Sequence, residues 1–126
     1  MGILNNLFGN NTNETKKQPC FDWNALTTIE QFNDIVEKSR TKTQAIFKHS
    51  TRCGISSSVL KKFEKQSNIT IDFHYLDLLT YREISNNIST RFNVRHQSPQ
   101  LLVIKNGVVV AHDAHYDIMN IGLENF

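Results

Sequence analysis

Cysteine, proline and unbalanced charge are scarce in this 126-residue sequence, and each scarcity excludes something. Two cysteines, Cys20 and Cys53, are too few for a disulfide-stapled secreted scaffold or a four-cysteine zinc site. The net charge is only +2, from 14 basic and 12 acidic residues, and no Lys/Arg cluster appears. A nucleic-acid partner therefore has no electrostatic footprint, and none is expected. No apolar run approaches the roughly 20 residues of a membrane helix, so no membrane partner is expected either. The stretch Met1-Gly2-Ile3-Leu4-Asn5-Asn6-Leu7-Phe8 lacks the basic and continuous apolar regions of a signal peptide. It also carries Asn6 where a myristoylation signal needs Ser or Thr. The expectation is a cytoplasmic monomer with reduced thiols, in which a cysteine with a role is redox-active rather than structural.

What is present is a globular composition, 39% apolar and 21% charged, in a length that forms one domain with a real core. Residues 1–19, ending in a run of Asn, Thr, Lys, Gln and Pro, read as a flexible polar leader, and residues 20–126 as a single domain. Thr27 to Glu30 fits a capping box, after which Ile29, Phe32, Ile35 and Val36 share a helical face ending near Ser39. Thr43 to His49 reads as an apolar strand. Val59, Leu60 and Phe63 mark a helix starting near Ile55, and Ile69, Ile71, Phe73 and Tyr75 alternate as a second strand. Tyr81, Ile84, Ile88 and Phe92 sit at helical spacing. Leu101–Ile104 and Val108–Ala111 flank Lys105-Asn106-Gly107, a strong hairpin signal, and a last helix is expected around Ile118–Asn125.

The order is thus α, then β-α-β-α-β-β-α. A helical crossover makes the first two strands parallel, and the hairpin adds an antiparallel pair. The predicted architecture is α/β, a four-stranded mixed sheet with helices on both faces and an extra N-terminal helix. This is the element order of the thioredoxin-like fold, which argues for fold and not for function.

Cys53 falls between a predicted strand and a predicted helix, where unpaired amides and the helix dipole favour a thiolate. Arg52 and, when protonated, His49 add positive charge. Such a cysteine can have its pKa lowered to roughly 3.5–7.5, against about 8.5 when free. The plainer alternative is a packed free cysteine on a loop. In Cys53-Gly54-Ile55-Ser56, serine stands where a dithiol oxidoreductase carries its second cysteine, so the chemistry implied is monothiol. Ser56 suits helix capping or donation to the Cys53 thiolate. Cys20 is either a resolving thiol or an incidental one, since no spacing rule ties it to Cys53. In a thioredoxin-like fold Pro99 would be cis and face the active cysteine, with Ser98 offering backbone groups to substrate. Without that fold a trans proline opening a strand is the simpler reading. The histidines at 49, 74, 96, 112 and 115 are scattered rather than set as ligands, and no metal site is expected.

Three stretches resemble the monothiol bacilliredoxins, thioredoxin-like proteins of bacillithiol-producing bacteria. They are Phe47-Lys48-His49-Ser50-Thr51-Arg52-Cys53 with Ile55-Ser56, Val94-Arg95-His96-Gln97-Ser98-Pro99-Gln100, and Asn106-Gly107 through His115-Tyr116-Asp117-Ile118. The likeness spans about residues 22 to 125. It implies a thiol-disulfide oxidoreductase of oxidative stress, removing bacillithiol from protein mixed disulfides. Cys53 would be the nucleophile, Ser98 and Pro99 the platform, and Thr51, Arg52, Gly54 and Ser56 the thiol pocket. Bacillithiol would be the cosubstrate, with no tightly bound cofactor, and S-bacillithiolated proteins and a bacillithiol reductase system the partners. His96 and His115 match family positions without an assigned role. The family often has proline where this chain has Gly54, which makes Cys-Gly-Ile-Ser resemble the Cys-Gly-Phe-Ser of monothiol glutaredoxins that carry iron–sulfur clusters. Their Gly-Gly pair is absent here, where Ala111-His112-Asp113-Ala114 follows the hairpin. A non-catalytic thioredoxin-like binding module is the third reading.

Overall fold

The computed structural model describes residues 22–52, 54–65 and 70–126. The predicted leader, Cys20, Cys53 and Ile69 lie outside the described residues. In chain order the elements are β1 (Trp23–Ala25), α1 (Ile29–Lys38), β2 (Gln44–His49), α2 (Gly54–Phe63), β3 (Asp72–Asp77), α3 (Arg82–Phe92), β4 (Gln100–Lys105) and β5 (Val108–Ala114). Short 3₁₀ turns at His115–Asn120 and Leu123–Asn125 follow. The sheet runs β1-β3-β2-β4-β5, with β1, β3 and β2 parallel, β4 antiparallel to β2, and β5 antiparallel to β4.

The expected thioredoxin-like α/β sandwich forms, with the sheet corrected from four strands to five. The extra strand, β1, is three residues long and too short to show an alternation. It is held by parallel pairing with β3 and by Trp23, whose ring lies 5.7–6.2 Å from those of Phe47, Phe63, Phe73 and Tyr75. The capping box sits one residue later than expected, with Thr28 and Gln31 as its reciprocal pair. The last predicted helix forms only 3₁₀ turns. Gly122 interrupts it, and His115 enters the first turn at φ 57°, a left-handed conformation that a β-carbon disfavours.

Alternation along β2 splits the core in two. Ile46, with Leu76, Leu102 and Ile104, faces α1 (Phe32, Ile35, Val36) and α3 (Ile84, Ile88). Ala45 and Phe47, with Phe73, Leu101 and Val103, face α2 (Val59, Phe63) and the C-terminal Ile118 and Leu123. The hairpin turns through Asn106 (φ 55°) and Gly107 (φ 78°), the left-handed pair that a type I′ turn demands. Ser39 at the end of α1 holds this turn, its carbonyl accepting from Asn106 N–H and its hydroxyl from Gly107 N–H.

At the start of the sheet, His74 Nε2 meets Gln44 Oε1 at 2.8 Å, and the Gln44 amide donates to Asp72, which pairs with Lys42 at 2.8 Å. Burial pushes the His74 pKa down to about 4, so the ring is neutral in the folded state at neutral pH. The unfolded chain takes up this proton first, so the His74 contribution is complete above about 6.5 and lost as pH falls toward 4. Urea unfolding at pH 7 and pH 4 should show an acid loss in the wild type that is smaller in His74→Asn, by about 3 kcal/mol at most.

Candidate active site

The register places the candidate residues. Lys48 lies opposite Gln100, so His49–Ser50 beyond β2 and Ser98–Pro99 before β4 emerge side by side at one end of the sheet. The turn Thr51–Arg52 is exposed there, and Gly54 opens α2 immediately after position 53. A β-carbon at Gly54 would meet nothing within 4 Å, so this glycine does not serve close packing.

Ser56 is fully buried and joins strand to helix. Its Oγ accepts from Ser50 N–H at 3.2 Å and pairs with His49 Nδ1 at 2.7 Å. The Ser50 hydroxyl in turn accepts from Arg52 N–H at 3.4 Å. Burial lowers the His49 pKa, outweighing the opposing fields of Asp77 and Glu64. The ring is therefore neutral at pH 7, and the positive charge expected of it is absent; Arg52 remains the cation of this turn.

The Ser98–Pro99 peptide is cis. Pro99 is buried, and its carbonyl accepts from His115 N–H at 3.0 Å, which ties the left-handed His115 to the proline loop. Ser98 Oγ is buried and has no hydrogen-bond partner among the described residues. His96 Nδ1 meets Ser85 Oγ of α3 at 3.1 Å. Thus His96 and His115 both brace the loop that carries Ser98–Pro99, one through its ring and one through its backbone. Among the described residues no group of three or more His, Cys, Asp or Glu is set to hold a metal, and no helix is long and apolar enough to cross a membrane.

Sequence reasoning missed Lys48. It is fully buried on the α3 face of β2, where its ammonium donates to the Ser85 carbonyl and to Ser89 Oγ, both at 3.3 Å. No carboxylate pairs with it among the described residues. Burial pushes its pKa down to about 8. The signal was a lysine inside an apolar strand with both faces covered. Gln100, beside it, is also buried; its amide donates to the Arg95 carbonyl and its Oε1 lacks a partner among the described residues.

A sheet of this topology, with a cis-proline loop beside a Cys-x-x-Ser turn, defines a thioredoxin-fold protein of the thiol oxidoreductase type. The chain belongs to the monothiol bacilliredoxin family: residues 24–123 match the family of monothiol bacilliredoxin BrxC. It is similar to a structure described as a candidate oxidoreductase with a thioredoxin fold, at 33% identity over 75% of this chain and 83% of that one, with a TM-score of 0.66. Thioredoxin from Malassezia sympodialis is 18% identical over 86% of this chain and 91% of that one, TM-score 0.67. Thioredoxin from Schistosoma mansoni is 18% identical over 82% and 94%, TM-score 0.69. These two establish the fold alone.

Lys48 also makes a stability prediction. Its pKa is 10.5 when exposed and about 8 here, so the charged form is disfavoured on folding. The penalty is complete below about pH 8 and disappears as pH rises toward 10.5. Lys48→Met should therefore stabilise the protein by about 1–3 kcal/mol at pH 7. The gain should shrink between pH 8 and 10, read from urea midpoints at each pH.

Proposed function

We propose that the protein is a cytoplasmic, monomeric debacillithiolating enzyme with Cys53 as nucleophile. The Cys53 thiolate attacks the bacillithiol sulfur of a protein mixed disulfide. The protein–bacillithiol S–S bond breaks, the client leaves as thiolate and is reprotonated by water, and a Cys53–bacillithiol disulfide forms. A second bacillithiol thiolate then attacks that adduct, freeing Cys53 and leaving bacillithiol disulfide for a reductase system. No tightly bound cofactor is needed.

The observation carrying this reading is Ser56. At the position of a resolving thiol the chain has a buried hydroxyl already committed to His49 and to the Ser50 amide, so α2 offers no second sulfur. Thr51, Arg52, Gly54, Ser98 and Pro99 surround the same end of the sheet and are assigned to the thiol pocket. Membership of the monothiol bacilliredoxin family supports bacillithiol as the small thiol.

Intact mass spectra of the wild type and Cys20→Ser, mixed with oxidised bacillithiol or oxidised glutathione, test the proposal. A stable bacillithiol adduct on Cys53 in both proteins, with little glutathione adduct, is expected. An internal Cys20–Cys53 disulfide in the wild type alone would replace the monothiol cycle with a dithiol one. No reaction with either disulfide would overturn the catalytic reading in favour of a binding module. Ser56→Cys should form an internal disulfide with Cys53 and lose the stable adduct, which the same spectra detect.

A further inference from the structure

Two cations, Lys48 and Arg82, and the imidazole of His96 gather beside the proline loop, and no ion pair balances them among the described residues. Lys48 is buried under α3, on Ser85 and Ser89. His96 shares Ser85 through its hydroxyl. Arg82 begins α3 one turn before Ser85, on the same side of the helix. The fields of Lys48 and Arg82 both add to burial in holding the His96 pKa down. No ion pair reaches any of the three among the described residues, where the salt bridges are Arg40–Glu37 and Lys42–Asp72. Asp77, at the end of β3, is taken by its own turn, accepting from Leu79 N–H, Thr80 N–H and the Thr80 hydroxyl, and Glu83, next to Arg82 in the first turn of α3, forms no ion pair with either cation among the described residues.

A buried ammonium without a counter-ion is costly, and a second cation, Arg82, nearby raises that cost. The arrangement has a use if the missing negative charge arrives with a ligand. Its position is the same end of the sheet as the Thr51–Arg52 turn and Ser98–Pro99, since α3 starts where β3 ends and His96 lies three residues before Pro99.

We infer that Arg82 and His96, backed by the buried Lys48, form an anion subsite that receives a carboxylate of the small thiol exchanged at the adjacent cysteine turn. The inference rests on the thiol-exchange reading above and adds the charge class of the partner thiol. The subsite holds the carboxylate; the exchange step itself is unchanged, one S–S bond forming on Cys53 as the other breaks. Its effect is therefore selective. It speeds reaction with anionic disulfides relative to neutral or cationic ones of similar size.

The test uses the full chain carrying Cys20→Ser and three probes: dithiodipropionate (anionic), hydroxyethyl disulfide (neutral) and cystamine (cationic). Rates of Cys53 adduct formation are read by intact mass, each divided by the rate of the same probe with free mercaptoethanol. Taking the anionic-to-neutral ratio cancels any change in thiolate reactivity. The wild type should rank anionic over neutral over cationic, and the ranking should flatten in 0.5 M salt, where the screening length falls to about 4 Å. Arg82→Gln, at an exposed position, should lower the anionic-to-neutral ratio by about threefold to tenfold while leaving the neutral rate within about twofold, and His96→Gln should lower the same ratio. Lys48→Met should lower the ratio as well, despite its gain in stability. A wild-type ratio near one, or a ratio untouched by all three substitutions, would overturn the subsite while leaving exchange at Cys53 intact. Failure of every probe to react would overturn the exchange reading, and the subsite with it.

Discussion

The central strand β2 is covered on both faces and both edges, and the rest of the molecule is arranged around that burial. All six residues from Gln44 to His49 are buried, yet three of them are polar. A buried polar group needs a partner, and each of these takes one from a different element. Gln44 takes His74 and Asp72 of β3; Lys48 takes Ser85 and Ser89 of α3; His49 takes Ser56 of α2. The apolar residues between them, Ala45, Ile46 and Phe47, provide the adhesion. The polar ones fix which helix sits where, because a slip in register would strand a buried charge or hydroxyl.

The same strand shows what a sequence reveals and what it conceals. Periodicity located α1 and α3, and Asn106-Gly107 located the hairpin, because helical faces and type I′ turns leave local marks. β1 left none: three residues acquire strand geometry only by pairing with β3 and stacking Trp23 among distant rings. The C-terminal helix failed because Gly122 and the left-handed His115 act against an otherwise plausible apolar pattern. At the candidate site, the Cys-x-x-Ser spacing and Pro99 were readable from residue types. The coupling of Ser56 to His49 was not, being set by the packing of α2 on β2 across seven residues. Nor was the neutrality of His49, which follows from burial. The partners of Lys48 on α3 were not legible either, because they lie about forty residues away in the chain.

Lys48 also puts stability and function in opposition. An apolar residue of similar shape would fill the space under α3 at lower cost, yet the position holds a cation whose field, like that of Arg82, reaches His96. The Lys48 ammonium lies on one face of β2 and the neutral His49–Ser56 pair on the other. Two sides of one strand thus present different electrostatics to the same end of the sheet: a polar, uncharged floor beneath α2 and a cationic wall beneath α3.

Trp23 gives the molecule an optical property of its own. It is the sole tryptophan, it contacts Phe47, Phe63, Phe73 and Tyr75, and its indole N–H donates to Glu64 at 2.6 Å, just past the end of α2. The helix that begins beside the candidate nucleophile therefore ends against the only strong native fluorophore. Motion of α2 as a rigid rod would alter the carboxylate and ring packing around the indole, so emission from Trp23 follows, without a label, events at the opposite end of the helix.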